Sequence, residues 1–506
     1  MVGSGFSTPV VRTSPLPHLA HQFPKPLGIS RGPKAEHLPV LERCSCHDGS
    51  IGEAEIGSLV SQSTDIAWEL LAIRFGYFGW ALSASTSSRR FPKSNLSQPT
   101  ASNRAVNFVV QNMRLYRIFC IMWIPRAVEP RLQRSAKTRP VVVLTGARQT
   151  GKTSTFLRLF PKHAFVSLDL PAEAEQAEKE PGAFLQRHPP PVLIDEVQYA
   201  PGLFRHLKVV VDAYRTRNGQ FLLTGSQKFT LMKNVSESLA GRADIVELET
   251  LSLAEIQAAL PQTGIEAAIV RGGFPELYAN PDIDSAAFYN SYLATYLERD
   301  VRSLTNVGSL RDFERFLRAC ALRSANLLNK ADLARDVGIA PSTANHWLSV
   351  LEASGQIVLL EPWFSNRTKS IVKSPKLYFA DTGLLCALLN VRSQEALRQS
   401  PAVGAVWETF VFAQLRDRER RAGRTGSLFF WRDRTREVDF VVDVGGHLEL
   451  FEAKWTELPD VGDTVNLDFV RDVIGKSRLA GGAIVCRTAN SFPLANGFRA
   501  LPVTEL

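Results

Sequence analysis

Residues 139–160 read RPVVVLTGARQTGKTSTFLRLF, and the fold of the chain follows from them. Residues 141–144 are a short, unbroken apolar run, the pattern of a strand buried on both faces of a parallel sheet. Gly146, Gly151, Lys152 and Thr153 then match G-x-x-x-x-G-K-[ST]. The glycines let the backbone turn tightly, so that successive N–H groups converge on phosphate. A helix starting near Lys152 adds its positive end. Lys152 brings a point charge for the β- and γ-phosphates, and Thr153 a hydroxyl for Mg²⁺. A chance match in a chain this long is expected roughly 0.02 times. The strand–loop–helix context lowers that further. The stretch predicts an α/β core binding a nucleoside triphosphate, ATP with Mg²⁺.

Residues 190–198, PPVLIDEVQ, form a second apolar strand, ending in Asp195 and Glu196. In open α/β sheets the ligand lies beyond the carboxyl ends of the strands. Asp195 is therefore expected to hold Mg²⁺, directly or through water, and Glu196 to activate the attacking water. A third strand, in GQFLLTGSQ, places Ser226 at its end. Ser226 either hydrogen-bonds the γ-phosphate or the water, or belongs to a plain turn. Arg242, in SESLAGRADIVELE, precedes another strand. There an arginine either clamps charge on a nucleotide held by a neighbouring subunit or makes a surface salt bridge.

At 506 residues the chain has room for about three or four domains. Apolar residues at 45% and charged residues at 22% describe an ordinary globular protein. The net charge of +9 lies more than half within residues 1–121, so it argues only weakly for nucleic acid. Cysteines at 44, 46, 120, 320, 386 and 486 show neither disulfide nor zinc spacing and are expected as free thiols. No secretory signal fits, and the apolar stretch 66–84 is broken by Glu69 and Arg74. A cytoplasmic, non-membrane protein is expected. Residues 1–60 are rich in Pro, Gly, Ser and His without a steady period, and residues 83–102 are a polar, linker-like stretch within the segment 1–121. That segment is either a disordered extension or, as we favour, the product of a mis-assigned start, with translation beginning at Met122.

Residues 256–310 read as a helical segment, whose stripe of Tyr289, Tyr292 and Tyr296 has helical spacing and is expected to pack. Residues 311–395 carry three helical patterns, with Asn329 as a cap and Pro341 opening the third, and then two strands. This is the pattern of a winged-helix unit. Such a unit either puts Ser342, Asn345 and His346 near DNA, with Lys369, Lys373 and Lys376 on phosphates, or is a folded spacer or a protein-docking unit. Trp347 and Leu348 are expected to face the core. Residues 396–506 read as a further α/β unit, with Glu408 on a helix and a hairpin turned at Gly445 and Gly446. Glu452 and Lys454 stand two apart on one strand and share a face, and Asp439 lies on the other strand. Asp439, Glu452 and Glu408 could bind Mg²⁺, with Lys454 activating water. The alternative is a salt bridge in a fold without catalysis.

The motifs LTGARQTGKT, VLIDEVQ, LLTGS, LAGR, PKLYFADTGLL, GAVWETFV, REVDFVV and EAKW together resemble a known group. They look like a prokaryotic AAA+ superfamily ATPase (AAA_14-like) fused to the C-terminal domain of unknown function 4143, over residues 122–506. Members typically begin with a segment like Ile124–Arg126, which is the main reason for placing the start at Met122. The resemblance implies a P-loop AAA+ core at 122–255 and a restriction-endonuclease-like, PD-(D/E)xK domain at 396–506. It carries ATP binding and hydrolysis to Gly146, Gly151, Lys152, Thr153, Asp195 and Glu196, a sensor-like role to Ser226, and an arginine-finger role to Arg242. Asp439, Glu452, Lys454 and Glu408 match its nuclease-like positions. Ala413 and Gln414 depart from it, standing where relatives often carry an acidic residue. DNA, a protein and a second copy of the chain are the candidate partners. The expected function is a Mg²⁺-dependent ATPase coupled to a DNA- or protein-directed C-terminal module, with an ATP-gated nuclease or an ATP-switched scaffold as alternatives.

Overall fold

The strands Val141–Thr145 (β1), Ala164–Ser167 (β2), Val192–Asp195 (β3), Phe221–Gly225 (β4) and Ala243–Glu247 (β5) form one sheet in the order β2-β3-β4-β1-β5. Every pairing in it is parallel. β1 is buried along its whole length, because helices cover both faces. One face packs against Phe184, Phe204 and Leu207, the other against Leu132 and Phe156. Since β1, β3 and β4 are adjacent and parallel, the loop after β1, Asp195 and Ser226 all leave the same edge of the sheet.

The computed structural model describes residues 122–226, 231, 235, 237–296, 310–364 and 374–506. Residues 1–121, with Cys44, Cys46 and Cys120, lie outside the described residues, as do Lys369, Lys373 and the side chain of Tyr296. Cys320, Cys386 and Cys486 are free and buried. Among the described residues no helix is long and apolar enough to cross a membrane.

Beyond the sheet, Tyr289 and Tyr292 of the Ser285–Tyr296 helix pack on Phe274. Three helices follow, Leu310–Ala321, Lys330–Val337 and Pro341–Ala353. The Asn329 side chain caps the second, accepting from Ala331 and Asp332 N–H, and Gly338 closes it in the left-handed region (φ 80°). The strands Asn326–Leu327 (β6), Ile357–Leu360 (β7) and Lys376–Phe379 (β8) make an antiparallel sheet with β8 in the centre. Trp347 and Leu348 are buried in the third helix, while Ser342, Asn345 and His346 are exposed.

The C-terminal sheet holds Leu428–Arg432 (β9), Glu437–Val444 (β10), His447–Ala453 (β11), Leu479–Cys486 (β12), Phe492–Pro493 (β13) and Arg499–Pro502 (β14), in the order β13-β14-β12-β11-β10-β9. β10 and β11 are the expected hairpin, and both turn glycines have positive φ (63° and 91°). The helices Val403–Arg421 and Val465–Ile474 lie against this sheet. One apolar core runs from Leu251 through Phe316, Leu377 and Trp407 to Phe440 and Val485, so the middle and C-terminal regions share their buried surface.

Candidate nucleotide site and C-terminal carboxylate cluster

The loop after β1 is held from inside and outside. Lys152 Nζ donates to Ala147 O (2.7 Å) and Gly146 O (3.1 Å), folding the ammonium back over the loop it follows. Thr150 Oγ1 donates to Ala147 O at 3.0 Å. From outside, Arg126 Nη1 donates to Thr150 O (2.8 Å) and Nη2 to Glu249 O (2.8 Å), while its Nε pairs with Glu255 (3.1 Å). Gly146 cannot be replaced there. Its φ is +144°, and a Cβ would stand 2.1 Å from Leu248 O. Gly151 also has positive φ (88°) and leads directly into the helix Lys152–Leu159. The backbone N–H groups of residues 151–153 thus begin a helix with no side-chain cap, the arrangement that attracts an anion.

Thr153 Oγ1 donates to Asp195 Oδ1 at 2.5 Å, as does Thr224 Oγ1 at 2.5 Å. A hydroxyl and a carboxylate oxygen therefore lie side by side where the loop meets β3, a hard-oxygen pair suited to Mg²⁺. Burial raises the Asp195 pKa, with the Thr153 and Thr224 hydroxyls working against it and the charges of Glu196 and Asp169 adding to it. A bound dication would offset that desolvation. Glu196 has a left-handed backbone (φ 54°), and its Oε2 accepts from Ser226 Oγ (3.0 Å), Ser226 N (3.3 Å) and the Gln198 amide. The strand ends thus bring Lys152, Thr153, Asp195, Glu196 and Ser226 together. Arg242 pairs with Asp212 through both Nε (2.7 Å) and Nη2 (2.8 Å), the salt-bridge geometry named as its alternative.

The C-terminal residues gather around a cation that sequence reading places elsewhere. The sequence puts Lys376 on the wing, against a phosphate. This is corrected: it is 1% exposed, because it sits on the central strand β8 and points inward. Its Nζ pairs with Glu408 (2.8 Å), Asp439 (3.4 Å) and Glu437. Tyr378 Oη also donates to Glu408 (2.6 Å), and Ala453 N to Asp439 Oδ2 (3.0 Å). Glu452 Oε1 pairs with Lys454 (3.1 Å), while Glu452 Oε2 is buried with no hydrogen-bond partner. Burial pushes the Glu408 carboxyl up to about 7 and Glu452 up to about 8, with the Asp439 charge adding to both. Among the described residues, no group of three or more His, Cys, Asp or Glu side chains is arranged to hold a metal ion.

Sequence reading missed Arg126 and Gln198 as site-shaping residues and gave Lys376 a different role. Arg126 and Gln198 stand in motifs already singled out, so a signal was present. For Lys376 there was none, since its partners lie 32 and 63 residues away. The departure at Gln414 has a local account: its amide oxygen accepts from Leu253 N (2.9 Å), a bond joining the C-terminal helix to the end of the nucleotide-binding region.

Residues 138–257 match the family described as AAA domain, residues 262–395 the domain of unknown function DUF8612, and residues 403–506 the domain of unknown function DUF4143. The class is an α/β AAA+-type P-loop ATPase domain joined to a C-terminal DUF4143 region. The chain belongs to the same family as the uncharacterized protein Rv2008c of Mycobacterium tuberculosis, 34% identical over 395 residues, covering 77% of this chain and 86% of that one. The Mycobacterium bovis uncharacterized protein Mb2031c matches to the same extent. Among solved structures, the Walker-type ATPase PABY2304 of Pyrococcus abyssi is similar at 18% identity and TM-score 0.38, over 53% of this chain and 96% of that chain. A RuvB variant of Thermotoga maritima is similar at 16% identity and TM-score 0.25, over 46% of this chain and 86% of that chain.

Proposed function

We propose that the chain is a Mg²⁺-dependent ATPase whose nucleotide state is passed to a DNA- or protein-directed C-terminal region. The observation that carries this reading is the convergence of Lys152, Thr153, Asp195, Glu196 and Ser226 at one sheet edge. In this reading the loop N–H groups and Lys152 bind the phosphates. Thr153 and Asp195 hold Mg²⁺, which supplies charge neutralisation at the phosphates when bound. Glu196 Oε2 takes a proton from water as the water oxygen bonds to the γ-phosphorus and the β–γ bridging oxygen leaves with ADP. Before that, the carboxylate must leave Ser226 and Gln198, so Ser226 acts as a sensor that holds the base. Arg242 serves a neighbouring subunit only after leaving Asp212, and the contact between copies is part of the proposal.

The middle helices and the β6-β8-β7 sheet follow one another as in a winged-helix unit, and the exposed Ser342, Asn345 and His346 are its candidate contacts to DNA. The boundaries we propose are 122–255, 256–310, 311–395 and 396–506. For the last we propose a restriction-endonuclease-like fold, a reading supported by its long helix and mixed sheet. A location in the cytoplasm is part of the same reading.

ATP turnover by the full chain, with and without DNA and over a range of protein concentrations, tests it. Lys152→Ala should weaken nucleotide binding at least ~100-fold, about 2.7 kcal/mol. Glu196→Gln should keep binding and lose turnover by about 10²-fold or more. Unchanged ATP affinity in the lysine variant would sink the proposal. A rate per subunit independent of concentration would remove the trans role of Arg242.

A further inference from the structure

We propose that the C-terminal carboxylate cluster is an internal ammonium site: Lys376, delivered by the middle sheet, is its resident cation and fastens the two regions where a divalent metal would otherwise bind. The PD-(D/E)xK resemblance implies a metal on Asp439, Glu452 and Glu408, and the residues present do not fit one. On Glu408 and Asp439, three oxygens are already hydrogen-bonded. Glu408 Oε1 accepts from Lys376 and Tyr378, Asp439 Oδ1 from Lys376, and Asp439 Oδ2 from Ala453 N. Glu437 divides its two oxygens between Lys376 and Arg432.

Charge follows the same pattern. Glu408, Glu437, Asp439 and Glu452 face Lys376, Lys454 and Arg432, while the buried Glu452 Oε2 has no hydrogen-bond partner. Adding a dication would leave an excess of positive charge in a buried site, which desolvation makes costly. The lysine is also fixed in place. It lies on the central strand β8, opposite Leu327 and Leu360. The chain leaving β7 then joins the C-terminal sheet: Trp363 N donates to Phe430 O (2.6 Å), and Trp363 Nε1 to Asp443 Oδ2 (3.0 Å). Backbone bonds and one buried ion cluster therefore make a single seam between the middle and C-terminal regions.

The test is Mn²⁺ binding to the nucleotide-free full chain, followed by electron paramagnetic resonance, with thermal unfolding alongside. Without nucleotide the wild type should show no Mn²⁺ binding that depends on Asp439, and Mn²⁺ or Mg²⁺ should elicit no DNA cleavage. Lys376→Met should lower the unfolding midpoint by several °C, and adding Asp439→Asn should cost less than it does in the wild type. If Lys376→Met folds, it should acquire a Mn²⁺ site that Asp439→Asn removes. The proposal is overturned by a wild-type Mn²⁺ site lost in Asp439→Asn or Glu452→Gln, or by wild-type cleavage of DNA lost in the same variants. It is equally overturned if Lys376→Met unfolds like the wild type, or if the two substitutions are additive. Should Lys376→Met fail to fold, the wild-type and Asp439→Asn measurements still decide the metal question.

Discussion

Glu196 leaves β3 with φ 54°, a conformation uncommon for a residue with a side chain, and its carboxylate rests on Ser226 and Gln198 rather than extending free. A backbone held this way at the end of a buried strand is kept there by surrounding contacts that offset its strain. Gln198 is the less obvious partner. Its amide donates to Glu196 Oε2 and lies 3.5 Å from Ser226 Oγ, so it restrains the proposed base without lying on the loop that would hold phosphate. Hydrogen bonds to charged groups are worth about 1.5–3 kcal/mol. Removing this one should therefore free the carboxylate, and Gln198→Ala should raise basal ATP turnover severalfold with little change in ATP affinity. A fall in turnover would instead mean that Gln198 positions the water.

At the scale of elements, the Val403–Arg421 helix is tied to the edge strand of the nucleotide-binding sheet. Arg416 pairs with Glu249 (2.9 Å), and Arg420 pairs with Glu247 (2.7 Å) and Glu249. Arg131, on the helix Glu129–Thr138, donates to Arg420 O (3.3 Å) and closes the joint. Burial lowers the Arg416 and Arg420 pKa, against the nearby charge of Glu247. The next residues along the same chain reach the phosphate loop: Leu248 O lies under Gly146, and Glu249 O accepts from Arg126. The joint therefore connects the C-terminal helix to the loop through two residues. Removing one arginine leaves Glu247 and Glu249 to share Arg416, an excess of partly buried negative charge, so Arg420→Ala should cost about 2 kcal/mol in a denaturant titration. It should also raise KM for ATP more than it lowers kcat. A stability loss with unchanged ATP kinetics would make the joint purely structural.

For the whole molecule, the C-terminal cluster makes stability depend on pH. Glu452 is held protonated up to about 8 by burial and by the charge of Asp439, against Lys454. Its folded pKa is raised from 4.5, so the folded state keeps a proton that the unfolded chain releases. The stability from this group is complete below pH 4.5 and is lost as pH rises to about 8. Between pH 6 and 8 the unfolding free energy from urea titration should fall, Glu452 contributing at most ~1.4 kcal/mol per pH unit and Glu408, raised to about 7, adding to the slope below that pH. Glu452→Gln should flatten that slope, and a wild-type midpoint independent of pH over this range would contradict the assignment.

Much of the nucleotide site is legible in the chain alone because its parts are local. An apolar run followed by Gly146, Gly151, Lys152 and Thr153 determines a strand, a loop and a helix start, and LID before Glu196 marks a strand end in the same way. Turn glycines at 445 and 446 and the cap at Asn329 are equally local, each set by backbone geometry that few residues tolerate. What only the tertiary structure decided is which charges meet. Lys376 reads as a wing lysine for a phosphate, yet the sheet order turns it inward against Glu408, Glu437 and Asp439. Arg416 and Arg420 read as surface charges on a helix, yet they close on Glu247 and Glu249. Local conformation is set by neighbours in the chain, whereas the partner of a buried charge is chosen by packing, which brings together residues that no spacing rule connects.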